Sequence, residues 1–245
     1  GPMALILNPS AYRNFIRPLL FRLPPETAQS LAEQTLKLGP MWEVLSFFLD
    51  CQHPALRTDL AGIALRNPVG LAAGYDKNFE VMPSLTSLGF GYVTGGTVTR
   101  DVRPGNPQPR VLRYERDESL VNAYGFPSKG LDHAEARLRA LKNRPAALLV
   151  SISGLSTDEF LQCHRRLEPL TDAIELNISS PNTVGIRVFQ EPNTFADLAN
   201  QLNAQRAKPL FVKLPPYSDE AGQKNVLALV RRCVELGVSG VTVAN

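Results

Sequence analysis

Apolar positions along the chain follow two periodicities, and the change falls near residue 55. Between Ala11 and Leu38 they recur at helical spacing (Phe15, Leu19, Leu20, then Leu31 and Leu36), broken by Pro24-Pro25 and followed by the apolar run Met41 to Leu49. Two or three short helices are predicted there, none near the ~20 apolar residues that a membrane-spanning helix requires. From residue 60 onward, short apolar runs alternate with longer helical stretches. Strands are expected over Pro68 to Leu71, Tyr92 to Gly95, Ala147 to Ile152, Ala173 to Leu176, Leu210 to Leu214 and Val241 to Ala244. Helices are expected over Asp132 to Lys142, Thr157 to Leu167, Thr194 to Ala204 and Ser218 to Leu236. Repeated strand–helix units without a Rossmann glycine fingerprint favour an α/β fold of the (β/α)8 TIM-barrel type. A complete barrel takes ~250 residues. Here about six strands are visible, so the chain is expected to end before the last two. The expected division is a helical subdomain over 3–54 and a barrel over 55–245.

Composition adds limits. With 44% hydrophobic residues, a chain of 245 residues can bury one full core. The net charge of +3, from 26 basic and 23 acidic residues, is too small for a nucleic-acid footprint. Cys51, Cys163 and Cys233 are widely spaced and odd in number, which fits buried thiols of a reducing compartment. They form no metal spacing with His53, His133 and His164, and no metal is expected.

The chemistry gathers at the strand ends. Asn177-Ile178-Ser179-Ser180-Pro181-Asn182-Thr183 puts two amides and three hydroxyls where a buried strand ends. In a parallel barrel that end faces the active site. Asn67 to Asn78 contains Ala72-Ala73-Gly74, small enough for a flat ligand to approach the backbone, and Lys77; a tight turn with a surface lysine reads equally well. Gly95-Gly96-Thr97-Val98-Thr99 precedes a loop rich in proline and arginine (Arg103 to Arg110), either simply rigid or a ligand wall. Val121 to Phe126 sets Asn122 beside aromatics, which a plain loop could also supply. Lys213 lies in a strand that should be buried, where an unpaired ammonium is costly and calls for an acceptor. Asn245 follows the last strand. The N-terminal helices read as docked on the core or, through Phe15, Phe21, Trp42, Phe47 and Phe48 beside Arg13, Arg17 and Arg22, as an interfacial pair.

Taken in order, Gly70 to Lys77, Gly96-Thr97-Val98-Thr99, Pro104-Gly105-Asn106, Asn122 with Gly125-Phe126, and Asn177 to Thr183 closely resemble the class 2 dihydroorotate dehydrogenases, from about residue 11 to 245. The resemblance implies an FMN-dependent barrel that oxidises dihydroorotate to orotate in pyrimidine (UMP) biosynthesis and passes electrons to a membrane quinone. It implies Ser180 as catalytic base, and Lys77, Asn122, Gly125, Phe126, Asn177, Asn182 and Asn245 as substrate contacts. Ala73, Gly74, Lys77, Thr97, Ser151, Asn177 and Lys213 match flavin positions, with Lys213 stabilising charge near the reduced ring. Arg113 resembles an arginine at the inner end of a quinone tunnel formed by the N-terminal helices around Phe15, Leu19, Trp42 and Phe47. Those helices would hold the protein peripherally on the cytoplasmic face of the inner membrane.

The chain also departs from the family. Ser151-Ile152-Ser153 stands where Asn-Ile-Gly is usual, Ala123 follows Asn122 in place of arginine, and Ala244 precedes Asn245 in place of threonine. These changes allow a divergent or non-catalytic flavin-barrel relative with altered substrate. The family cradles the flavin phosphate beyond Asn245, so a polypeptide ending there is expected to bind FMN poorly or not at all, which adds an inactive truncated fragment to the alternatives.

Overall fold

The computed structural model describes residues 9–49, 53–142, 144, 146–180, 183 and 185–243. Three helical stretches come first. α1 begins as Pro9–Ala11, widens through a π-helical turn at Tyr12–Ile16 and continues as Arg17–Leu20. α2 is Pro25–Leu36, with proline at its first position, where a missing N–H costs nothing. α3 is Gly39–Leu49. One side of this group packs on the rest of the protein. Ala28 and Leu36 are buried, Trp42 joins the main core, and its Nε1 donates to Thr35 O at 2.8 Å. The other side leaves Phe15, Leu19, Leu31, Leu38, Met41 and Val44 exposed. The side chains of Phe47 and Phe48 lie outside the described residues.

A small antiparallel hairpin follows, β1 (Thr58–Leu60) and β2 (Ile63–Leu65). Its turn is Ala61-Gly62, both at positive φ, with Asp59 Oδ1 accepting from Gly62 N at 2.8 Å. The main sheet is built from β3 (Gly70–Leu71) and β4 (Tyr92–Val98), with α4 (Met82–Ser87) between them. A second hairpin, β5 (Val111–Tyr114) with β6 (Ser119–Asn122), and α5 (Leu131–Ala140) then lead to β7 (Ala147–Ile152). The rest is α6 (Thr157–Leu167), β8 (Ala173–Asn177), α7 (Pro192–Asn203), β9 (Leu210–Lys213), α8 (Glu220–Glu235) and β10 (Gly240–Thr242). Strands β3, β4, β7, β8, β9 and β10 pair in that order and all in parallel, which makes six staves of a barrel wound in one direction.

Local chemistry fixes the helix starts. Ser156 Oγ accepts from Glu159 N at 3.3 Å while Glu159 Oε2 accepts from Leu155 N at 2.8 Å, a reciprocal cap at the start of α6. Asp219 does the same work for α8, accepting from Gly222 N at 2.7 Å.

Strand register divides the sheet into two faces. Val150, Ile152, Ile174, Leu176, Leu210 and Val212 pack outward with Phe160, Leu167, Leu198 and Leu229 of the helices, forming the main core. The opposite face aligns Leu149 with Ala173, Ser151 with Glu175, Glu175 with Phe211, and Asn177 with Lys213. Its lower layer is apolar: Leu149, Ala173 and Phe211 cluster with Leu60, Ile63 and Tyr92. The β1–β2 hairpin therefore closes the N-terminal end of the barrel, and polarity rises toward the C-terminal end. Cys163 and Cys233 are buried, and burial pushes their thiols up to about 12 and about 11. Cys51 lies outside the described residues. Among the described residues no cluster of metal-ligating side chains occurs, and no helix is long and apolar enough to cross a membrane.

Phe160 is fully buried and meets Phe189 edge-on at 5.1 Å between ring centroids, with an interplanar angle of 73°. Phe160→Ala is expected to cost about 3–5 kcal/mol in urea unfolding; a loss below about 1 kcal/mol would contradict this packing of α6 on the sheet.

Candidate functional site

At the C-terminal ends of β4, β7 and β8 three strands are tied by one side chain. Asn177 Nδ2 donates to Thr97 Oγ1 at 2.9 Å, and Thr97 Oγ1 lies 3.1 Å from Ser151 Oγ. Asn177 Oδ1 accepts from Ser179 N at 3.2 Å and from Ser179 Oγ at 2.7 Å, while Ser153 Oγ donates to Asn177 O at 2.9 Å. All these residues are buried, so each polar atom needs the partner it has. The knot also depends on glycine. Gly96 has φ +99, and a Cβ there would meet Ser151 O at 2.5 Å. Only glycine lets β4 bulge between Gly95 and Val98 and present Thr97 to Asn177.

Above the knot lies a cavity of about 520 Å³. From the strand ends it is lined by Ala73, Gly74, Lys77, Thr97, Asn177, Ser180 and Lys213, and from the β5–β6 side by Asn122, Gly125 and Phe126. The sequence thus names ten of its walls, drawn from separate segments. Ser151 does not reach the surface of the cavity; it is fully buried beneath Thr97 and acts on the wall through it. Arg113 is also elsewhere, with Nη1 donating to Leu23 O at 2.9 Å and its guanidinium 4.6 Å from the Phe21 ring centroid, against the N-terminal helices. Asn182 and Asn245 lie outside the described residues. Leu120, Val121, Tyr124, Pro127 and Pro216 also line the cavity, without a role expected of them from the sequence. Tyr124 carried a signal, an aromatic ring two residues after Asn122, but a loop aromatic has no periodicity to reveal its direction.

The electrostatics are set by two lysines. Lys77 Nζ donates to Gly74 O at 2.6 Å and stands 4.3 Å from the centre of the Tyr124 ring. Burial holds its pKa below the ordinary lysine range, opposed by the Glu33 carboxylate and reinforced by Arg110. Lys213 is buried at the end of β9 and has no hydrogen-bond or ion-pair partner among the described residues. An ammonium so placed favours an acceptor or anion in the cavity. Ser180 Oγ lies 3.1 Å from Thr183 Oγ1, so the buried serine has a second hydroxyl at hydrogen-bond distance. Beneath, Glu175 Oε2 accepts from Thr242 Oγ1 at 2.7 Å, whereas its Oε1 has no partner among the described residues.

A parallel barrel sheet with a lysine-bearing, amide-lined cavity at its strand ends defines a barrel protein of the small-ligand class, suited to a flat polar molecule carrying negative charge. The profile of the Dihydroorotate dehydrogenase family matches residues 55–245, and the chain belongs to that family. It is 36% identical over 226 residues to "Dihydroorotate dehydrogenase (quinone)" of Thermus thermophilus, covering 87% of this chain and 65% of the relative. It is 33% identical over 258 residues to the protein of the same name from Chloroflexus aurantiacus, covering 96% of this chain and 70% of that one. The chain thus spans a little under two thirds of the Thermus protein. Among solved structures, the Eimeria tenella DHODH in complex with ferulenol superposes with a TM-score of 0.75 at 27% identity, covering 90% of this chain and 66% of that one.

Gly96→Ala is expected to destabilise the fold by about 2 kcal/mol or more, since it combines backbone strain with a clash against Ser151 O. Thermal unfolding unchanged by this substitution would contradict the close approach of β4 and β7.

Proposed function

We propose that the cavity oxidises dihydroorotate to orotate with FMN as hydride acceptor and a membrane quinone as final oxidant. The observation that carries this reading is the convergence of Ser180, Lys77, Asn122, Asn177 and Lys213, from distant segments, on one cavity. The quinone-linked names of the relatives support the choice of acceptor.

The walls suit FMN. Gly74 leaves open space where a Cβ would stand, Ala73 adds little bulk, and the Lys213 ammonium lacks a partner among the described residues. Ala73, Gly74, Thr97, Asn177 and Lys213 would hold the flavin, and Ser151 would support it through Thr97. When bound, FMN supplies the acceptor for the hydride leaving C6 of the substrate. The protein's own share is binding and proton transfer. Lys77 offers a cation to the substrate carboxylate; Asn122, Asn177, Asn182 and Asn245 offer amides to a ring of alternating donors and acceptors, beside Gly125 and Phe126. Ser180 takes the proton from C5 as the C5–C6 double bond forms. A serine hydroxyl is a weak base unless its own proton has somewhere to go, and Thr183 Oγ1 at 3.1 Å provides the first acceptor.

Entry of the quinone between the N-terminal helices and β5, near Arg113 and Phe21, is part of this proposal, supported by the contact of that arginine with Leu23 O. So is attachment to the cytoplasmic face of the inner membrane through α1 to α3 as a separate N-terminal subdomain, supported by exposed Phe15, Leu19, Met41 and Val44 beside Arg17. The alternative, a relative with altered substrate, draws on Ser151 lying below the wall and on the small Ala123.

Flavin bound in the cavity, at whatever occupancy added FMN reaches, is expected to bleach with dihydroorotate and recover colour with a quinone, whereas absence of bound flavin would favour the inactive fragment. Ser180→Ala should slow the bleaching by roughly 10²–10⁴-fold with orotate binding within a few-fold. Bound flavin that ignores dihydroorotate would favour the altered-substrate reading, and a Ser180→Ala rate within tenfold of the parent would remove Ser180 as base.

A further inference from the structure

The Lys77 ammonium is held from outside the barrel as well as from within it. One side of Nζ meets Gly74 O at 2.6 Å and another faces the Tyr124 ring at 4.3 Å. That ring is gripped by α2, since Tyr124 Oη donates to Gln29 Oε1 at 3.2 Å. Gln29 is itself fixed, with Nε2 donating to Glu33 Oε1 at 2.9 Å and reaching Tyr75 O at 3.5 Å. The Arg110 guanidinium also stands 5.2 Å from the Tyr124 centroid, and its Nε donates to Glu26 Oε1 of α2 at 2.9 Å. A tyrosine serving only to dock a helix would need neither the lysine above its face nor a place in the cavity wall, and Tyr124 has both.

We propose that Tyr124 is a positioning residue that couples helix α2 to the ligand end of the cavity: Gln29 fixes the ring, and the ring face keeps the Lys77 ammonium charged and aligned for an anionic ligand. The proposal rests on the reading of Lys77 as a ligand contact. It gives α2 a task at the substrate, separate from any at the quinone.

The charges facing Lys77 are Glu33 and Glu26 on α2, Asp76 beside it and Arg110 on the loop before β5, with the Tyr75 and Tyr124 phenols close by. Burial already lowers the lysine's pKa, and the electron-rich ring face favours its protonated form. The sign follows. Binding of an anionic ligand is intact while Lys77 is charged and is lost as pH rises through its pKa. Removing the ring lowers that pKa further, so loss begins at lower pH.

The test uses the full chain labelled with 13C-lysine, the Lys77 Cε–Hε resonance being identified by its disappearance in Lys77→Met. In the parent and in Tyr124→Phe this resonance should show an upfield ring-current displacement. In Tyr124→Leu the displacement should vanish and the titration midpoint move to lower pH, and Gln29→Leu should reduce the displacement by loosening the ring. Calorimetry with orotate in the presence of FMN should show binding weakened about five- to tenfold by Tyr124→Leu, with its alkaline limit lowered, and largely retained by Tyr124→Phe. A Tyr124→Leu protein with the parental midpoint and orotate affinity overturns the coupling, as does a Gln29→Leu protein with an unaltered ring-current displacement for the part played by α2. If Lys77→Met binds orotate as the parent does, the reading of Lys77 fails, and that failure is distinct because the titration of Lys77 in the Tyr124 variants is read without ligand.

Discussion

The hydrogen bond from Asn177 Nδ2 to Thr97 Oγ1 is the contact from which the rest of the site is built. Polar side chains buried inside a barrel must find partners there, because an unpaired buried group costs about 1–3 kcal/mol. Asn177 meets this demand for three strands at once. It engages Thr97 of β4, through it Ser151 of β7, and with its oxygen the Ser179 backbone that carries the chain toward Ser180. The geometry exists only because Gly96 lets the backbone of β4 come close to that of β7. A packing constraint at one glycine thereby sets the position of a proposed catalytic hydroxyl more than eighty residues later.

The two ends of the barrel interior follow different physics. At the N-terminal end Leu149, Ala173 and Phe211 bury against Leu60 and Ile63, an apolar plug whose stability comes from area removed from water. At the C-terminal end Lys213, Glu175 and Asn177 are buried on the same face of the sheet. Buried charges are poor sources of stability and good sources of chemistry. The plug supplies the rigid base on which such groups can be kept, and helix α2, through Gln29 and Tyr124, braces the opposite wall.

The barrel strands were legible because each is a short apolar run closed by a turn. Ala147–Ile152 and the helix Thr157–Leu167 have the expected bounds, and β4 and β8 run further than expected, to Val98 and Asn177, because their polar ends still pair. The two hairpins were not legible. β6 is exposed throughout and β5 has only four residues, none fully buried, while β1–β2 has only three residues per strand, although Asp59 and Ala61-Gly62 carried its turn signal. Among site residues, the strand-end positions could be read because strand direction dictates where they face. Tyr124 and Thr183 could not be assigned in the same way, since each takes its role from a partner, Lys77 or Ser180, that only the folded chain brings near. Glu175 was hidden for a related reason: one acidic residue in a strand says nothing about which face it occupies until the register is known.

Membership of the dihydroorotate dehydrogenase family and the geometry of the cavity lead to one central claim, that a flavin and a pyrimidine share the space between Lys213, Asn177 and Lys77. A crystal structure of the protein with FMN and orotate tests it most directly. The flavin ring is expected between Gly74 and Lys213, and orotate between it and Ser180 with the carboxylate at Lys77. Orotate bound away from Lys77 and Ser180, or flavin outside the cavity, would contradict it.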